Sequence, residues 1–273
     1  MNDKVLKVLA FGAHPDDCDF NLGGTAIKYA KLGHKVKFIS VTNGDAGHYL
    51  MGGAVLAQRR YKEAKRAAEV AGIEYEVFDI HDGQLLPTLE NRNIIIRVIR
   101  EFEPDIIFTH RPNDYHPDHR YTSQLVQDAA YMVTVPNVAA LTQHLLLNPV
   151  IFYVSDSFQK PYPFSPDIIV GIDDSIEQKI RMLHCHESQM YEWLPYNQGI
   201  LNEVPKTEEE RLNWLQKKWA SRNREIANKY REQLVKYYGK ERGSKIEYAE
   251  AFEKCEYGSS LPEEKVKTYF PFF

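Results

Sequence analysis

Short apolar runs rich in β-formers, separated by stretches of helical period, constrain this 273-residue chain more than any other feature. Val5, Val8, Leu9, Ala10 and Phe11 make the first run, and its lack of polar alternation suits a strand covered on both faces. Leu22, Ala26, Ile27, Ala30 and Leu32 then recur at helical spacing up to Gly33, and Val36, Phe38, Ile39 and Val41 make a second run. Strand, helix, strand is a parallel crossover, because two parallel neighbours cannot be joined by a tight turn. The pattern repeats. Residues 54–71 read as a helix stopped by Gly72, 73–80 as a strand, Ile94 to Phe102 as a helix closed by Pro104, and 105–110 as a fourth strand. A helix over 118–131 and strands at 150–154 and 168–172 follow, with Asp173-Asp174-Ser175 placed to cap the next helix. The expected fold is α/β: a Rossmann-like, mostly parallel sheet flanked by helices, with a C-terminal helical extension.

The division into parts follows from a change in composition near Glu203. Residues 207–238 are densely charged, with Leu212, Trp214, Leu215, Trp219, Ile226 and Leu234 interspersed, the pattern of long amphipathic helices. An α/β domain over 1–200 is therefore expected, with a helical extension over 201–273 packed on it. The chain ends in Tyr269-Phe270-Pro271-Phe272-Phe273. Exposed, such a tail would be costly, so it is expected to dock on its own domain or on a neighbouring subunit, and it is the one hint of a homo-oligomer.

Totals narrow the partners. The net charge of -4, the pI of about 6.2 and the absence of a Lys/Arg block argue against nucleic acid. Three cysteines, Cys18, Cys185 and Cys255, cannot build a disulfide framework and fit a reducing cytoplasm. No stretch approaches the roughly 20 apolar residues of a membrane span, and the charges of Asp3, Lys4 and Lys7 interrupt any secretion signal. A small-molecule substrate is the expected partner.

The chemistry is carried by two strings. Ala13-His14-Pro15-Asp16-Asp17 closes the first strand, and Arg111-Pro112-Asn113-Asp114-Tyr115-His116-Pro117-Asp118-His119-Arg120 closes the fourth. Pro15 turns the chain, so that His14 and Asp17 can converge on one point with Asp16 beside it. Pro117 suits a first helical position, which puts His116 before the helix and His119 in its first turn. In open α/β sheets ligands gather beyond the C-terminal ends of the strands. Turn chemistry explains one His-Pro-Asp string, but two at separate strand ends point to a metal site. Imidazole and carboxylate ligands with an open position suit Zn²⁺. The loop from Asn43 to His48 lacks the glycine spacing of a phosphate cradle. His184 and His186, at i and i+2, point to different sides of a helix and make no second metal site, although one of them can face the main one.

With both strings in view, residues 5–190 resemble the PIG-L/LmbE-like family of zinc-dependent N-deacetylases, which act on N-acetylglucosamine-containing small molecules. Besides the two strings, the resemblance rests on Gly23-Gly24-Thr25, Arg60-x-x-Glu63-Ala64 and His186-x-Ser188-Gln189. It implies one Zn²⁺ per chain held by His14, Asp17 and His119. It also implies Asp16 as general base, and His116, held by Asp118, as the group that steadies the oxyanion and protonates the leaving amine. Arg60 would grip the substrate, and Asn43, Asp114, Tyr115 and His186 complete the candidate substrate-binding set. Two alternatives stand beside this reading. A zinc deaminase or other amidohydrolase would share the metal chemistry, but zinc deaminases use cysteine ligands, and Cys18 and Cys185 lack that spacing. A metal-bearing sugar-binding module would show no turnover. Release of acetate from an N-acetylglucosamine derivative separates all three.

Overall fold

The computed structural model describes residues 4–273; Asp3 lies outside the described residues. One seven-stranded sheet organises the molecule, in the order β3-β2-β1-β4-β5-β7-β6. Strands β1 (Lys7–Gly12), β2 (Lys35–Ser40), β3 (Glu74–Val77), β4 (Ile106–Thr109) and β5 (Val150–Val154) run parallel. Helices α1 (Asp17–Lys31), α2 (Gly53–Ala71), α3 (Leu89–Phe102) and α4 (Pro117–Met132) make the crossovers. Apolar residues of β1 alternate between the two sides. Val8 and Ala10 enter a core with α1, α2 and α5 (Ile176–Cys185), while Leu9 and Phe11 enter another with α3 and α4. Both faces are thus covered, as the unbroken apolar runs require.

Several helix ends follow the sequence closely. Gly72 closes α2 in the left-handed conformation at φ 70°, which a residue without Cβ adopts at no cost. The strand expected over 73–80 is shorter, because Phe78 donates to Ser40 O and the chain then leaves the sheet as a loop. Ser175 sits at the N-cap of α5 but its hydroxyl bonds back to Ile172 O, so the expected side-chain cap is absent.

The last third contributes more than helices. After a π-helical turn (Ser188–Trp193) and the short α6 (Leu194–Asn197) come α7 (Glu208–Lys229), and α8 (Arg231–Gly243), kinked at Gly239. Strand β7 (Ala249–Cys255) then enters the sheet between β5 and β6 (Ile168–Gly171), antiparallel to both. The expected boundary near residue 200 is therefore not a boundary of the sheet. The terminal aromatics dock on their own chain. After α9 (Val266–Tyr269), Phe270 is fully buried against Phe108, Phe152 and Phe252, and Phe272 packs edge-on to Tyr29.

The connectivity locates the crevice. From β1 the chain winds outward through β2 and β3, then returns to the other side of β1 for β4 and β5. The reversal falls between β1 and β4, and such a switch point is where open α/β sheets bind ligands. The two His-Pro-Asp strings leave these two strands.

Candidate active site

Gly12 ends β1, and a Cβ there would lie 2.8 Å from the Asp17 Cβ. Its bareness lets the chain fold back so that Asp17 opens α1 directly beyond the strand. Asp17 Oδ2 accepts from the His14 backbone N–H at 2.7 Å. Between them Asp16 takes φ 153° and ψ -22°, a conformation that costs an L-residue about 1–3 kcal/mol and is characteristic of functional sites. It is held there by bonds from Asp16 N to His14 O and from Phe20 N to Asp16 O. On the other side of the switch point, Pro117 occupies the first turn of α4 and His116 its N-cap, which brings His119 back toward β1.

Three atoms then form a triangle. His119 Nε2 lies 3.3 Å from His14 Nδ1, His14 Nδ1 3.4 Å from Asp17 Oδ2, and His119 Nε2 3.4 Å from Asp17 Oδ2. An ion bound tetrahedrally at about 2.0–2.1 Å separates its ligands by about 3.3–3.4 Å. These residues therefore fit a divalent cation of zinc's size with one position open. Other overlapping sets, His14 with His116 and His119, Asp17 with His110 and His119, and His14 with Asp82 and Asp118, also bring potential ligand atoms within 4.8 Å. In the second set, however, His110 Nε2 already accepts the Ala13 N–H at 3.1 Å. His110 instead stacks on His119, with centroids 4.1 Å apart and planes at 11°.

Both imidazoles of the triangle face a carboxylate. Asp114 Oδ1 lies 3.1 Å from His119 Nδ1, and Asp82 Oδ1 lies 3.2 Å from His14 Nε2. Both contacts are at ion-pair distance, although neither ring nitrogen makes an aligned hydrogen bond among the described residues, and carboxylates so placed raise the basicity of metal-binding histidines. Asp114, expected to touch substrate, lines the cavity, with Oδ1 accepting the His116 N–H and lying beside His119. Asp118, expected to hold His116, accepts from Gly83 N at 2.7 Å and lies 3.5 Å from His14 Nε2. What reaches His116 is the Asp118 backbone N–H, which donates to Nδ1 at 3.2 Å.

Electrostatics follow burial. Asp16 is pushed up to about 6, chiefly by loss of solvent and further by Asp17, against the opposing pull of Arg60. Burial would also raise Asp17, but His119 and His110 outweigh it and hold that carboxyl well below the usual range. His116 is lowered by burial and by the positive charge of His14 and His119. For His14, burial acts downward, but Asp118, Asp17 and Asp82 outweigh it and hold the ring well above the usual histidine range. A pocket that favours positive charge so strongly is suited to a cation.

The remaining expected residues are placed variously. Arg60 is 2 % exposed in the wall of the site, and its guanidinium donates to Gly44 O, Pro15 O and Asp16 Oδ1 at 3.1–3.2 Å. Tyr115 stands on the rim, 72 % exposed. Asn43 and His186 are absent from the cavity wall. Asn43 is tied to Asp79 and to the Asp45 N–H, while His186 is fully buried, Nε2 3.2 Å from Asp19 Oδ1. Of the other members of its motif, Gln189 lines the cavity. Ser188 donates its N–H and O–H to Glu63 of α2 at 3.0 and 2.6 Å, and Gln189 donates to Gly47 O at 3.0 Å. Sequence reasoning missed Asp82, whose loop carries no pattern, and His110, whose place directly beyond β4 was a usable signal.

Together these groups line one end of a cavity of about 900 Å³, with α7, the segment after β5 and the π-helical turn forming the rest.

Residues 9–130 match the PIG-L family, described as GlcNAc-PI de-N-acetylase. The chain is 35 % identical over 213 residues to diacetylchitobiose deacetylase from Thermococcus kodakarensis, covering 72 % of this chain and 76 % of that protein. It superposes on N,N'-diacetylchitobiose deacetylase from Pyrococcus horikoshii with a TM-score of 0.70 and 25 % identity, covering 92 % of this chain and 84 % of that one. The 4-carboxy-2-hydroxymuconate hydratase GalB of Pseudomonas putida shares the fold, with a TM-score of 0.71 at 19 % identity over 95 % of this chain and 99 % of that one.

Proposed function

This chain belongs to the PIG-L family, and on that premise we propose that it is a metal-dependent N-deacetylase that removes acetyl from an N-acetylglucosamine-type sugar or its glycoside. The observation that carries the proposal is the triangle of His14, Asp17 and His119, with edges of 3.3–3.4 Å, beside the buried carboxyl of Asp16. Zn²⁺ held by these three residues would polarise an acetamide carbonyl and bring the pKa of water down to about 7.

The other steps fall to side chains. Asp16, pushed up to about 6, is matched to taking a proton from the attacking water near neutral pH and holding it for the leaving amine. Arg60 aims that carboxylate through Nη2 and balances its charge once ionised. Because His116 Nδ1 accepts the Asp118 N–H, the neutral ring carries its proton on Nε2, ready to donate to the oxygen on which negative charge develops. This refines the role implied by the resemblance. Burial lowers His116, which favours Asp16 over an imidazolium as the group that returns the proton to the amine.

The test is Asp16→Asn, assayed for free amine from N,N'-diacetylchitobiose alongside zinc content by atomic emission. Zinc should stay at the wild-type equivalent while kcat falls roughly 10²–10⁴-fold. A wild-type kcat in that variant overturns the base assignment, and a wild-type enzyme that releases no amine overturns the deacetylase reading.

A further inference from the structure

The deacetylation just described gives His110 no task, although this residue touches both His-Pro-Asp strings. It follows β4 directly and is 4 % exposed. Its ring meets the triangle in two ways. At the edge, Nε2 accepts the Ala13 N–H at 3.1 Å and lies 3.3 Å from Asp17 Oδ2. The flat face lies on His119, with centroids 4.1 Å apart and planes at 11°.

Each contact constrains one side of the triangle. Ala13 is fully buried and precedes His14. Thr42, beyond β2, donates from N and Oγ1 to the Ala13 carbonyl, both at 2.8 Å, so this residue is gripped from the β2 side by its oxygen and from the β4 side by its N–H. Removing the acceptor strands a buried donor beside His14 and frees the chain on one side. On the other string, rotation of the His119 ring would carry its Nε2 away from Asp17 and His14. Asp114 faces the opposite nitrogen, and the parallel face of His110 restrains the plane of the ring in a close-packed site. An imidazole made electron-poor by a bound cation also gains from an aromatic face laid against it.

We propose that His110 is a positioning residue for the ion and sets the span between the two strings. Its Nε2 fixes the chain entering His14 and its face fixes the plane of His119, so that the nearest nitrogens of those two rings stay 3.3 Å apart. The inference rests on the metal-dependent reading above and names what keeps the triangle in shape.

The test uses the whole chain loaded with zinc or with Co²⁺, whose visible absorption reports ligand geometry. His110→Gln keeps an acceptor near the place of Nε2 and loses the face, whereas His110→Phe keeps the face and loses the acceptor. Each should weaken zinc roughly tenfold in competition with a chromogenic chelator, and His110→Ala, which loses both, about 100-fold. All three should shift the Co²⁺ absorption and still bind one equivalent at saturating metal. Urea unfolding of the metal-free variants is measured alongside. Lower stability with wild-type zinc affinity and an unchanged Co²⁺ spectrum in the Gln and Phe variants marks a merely structural role and overturns the inference. Loss of the bound equivalent at saturating metal makes His110 a ligand and overturns it as well. None of these readouts needs a substrate, so the deacetylase reading fails separately. A wild type that binds zinc but releases no amine overturns that reading alone, and one that binds neither metal overturns both.

Discussion

Asp114 and Asp82 do not sit in the triangle of His14, Asp17 and His119, yet each faces the second nitrogen of one of its imidazoles, and on the proposed reading they govern how well it would hold an ion. Asp114→Asn should weaken zinc binding about 10–100-fold, read by competition with a chromogenic chelator. His119→Ala should remove the metal altogether. Arg60 gives a prediction of a different kind. Its charge pulls the Asp16 carboxyl down against burial, so Arg60→Gln should move the acidic limb of the kcat/KM profile to higher pH. The convergence of His14, Asp17 and His119 was legible in the chain because Pro15 and Pro117 fix short turns, within which these side chains can have only a few positions. The partners of those imidazoles were not. Asp118 lies two residues from His116 but turns its carboxylate to Gly83 and His14, a choice made by a loop 35 positions away that no local pattern describes.

The joint between α1, α5 and β7 shows how an element becomes fixed from a distance. Glu250 of β7 accepts the N–H groups of Gly24 and Thr25, the Thr25 hydroxyl and the Lys179 ammonium, with all distances between 2.6 and 2.9 Å and the residue 1 % exposed. Gly24 allows the approach, since a Cβ there would meet Ile172 at 2.8 Å. Glu250→Ala strands a buried ammonium and three donors and should cost about 3–5 kcal/mol, measured by urea unfolding. The same contacts explain why β7 was illegible when β1, β2 and β4 were plain. Those strands bury unbroken apolar runs, whereas β7 reads Ala-Glu-Ala-Phe-Glu-Lys-Cys, and its first carboxylate, Glu250, is buried where Lys179 meets it. The crossover helices could be read from their apolar period, whereas nothing local distinguishes a buried, paired glutamate from a solvated one.

At the scale of the molecule, the carboxylates converging on one crevice tie metal to stability. Binding confined to the folded state at a hundred times the Kd adds about 2.7 kcal/mol, so chelation should lower Tm by roughly 5–10 °C for a chain of this length, followed by scanning calorimetry with and without added zinc. The docked tail contributes separately. Phe270 has no exposed surface, and Phe270→Ala should cost about 3–5 kcal/mol without changing zinc stoichiometry. The sheet order has a temporal meaning as well. Among the described residues β6 pairs only with β7, and β7 is encoded some eighty positions later. While the chain is being synthesised from its amino end, both His-Pro-Asp strings emerge long before the strand that joins β6 to β5. Until that strand arrives, the growing protein carries β5 with an open edge and β6 unattached, so completion of the sheet must wait until the chain through Cys255 has left the ribosome.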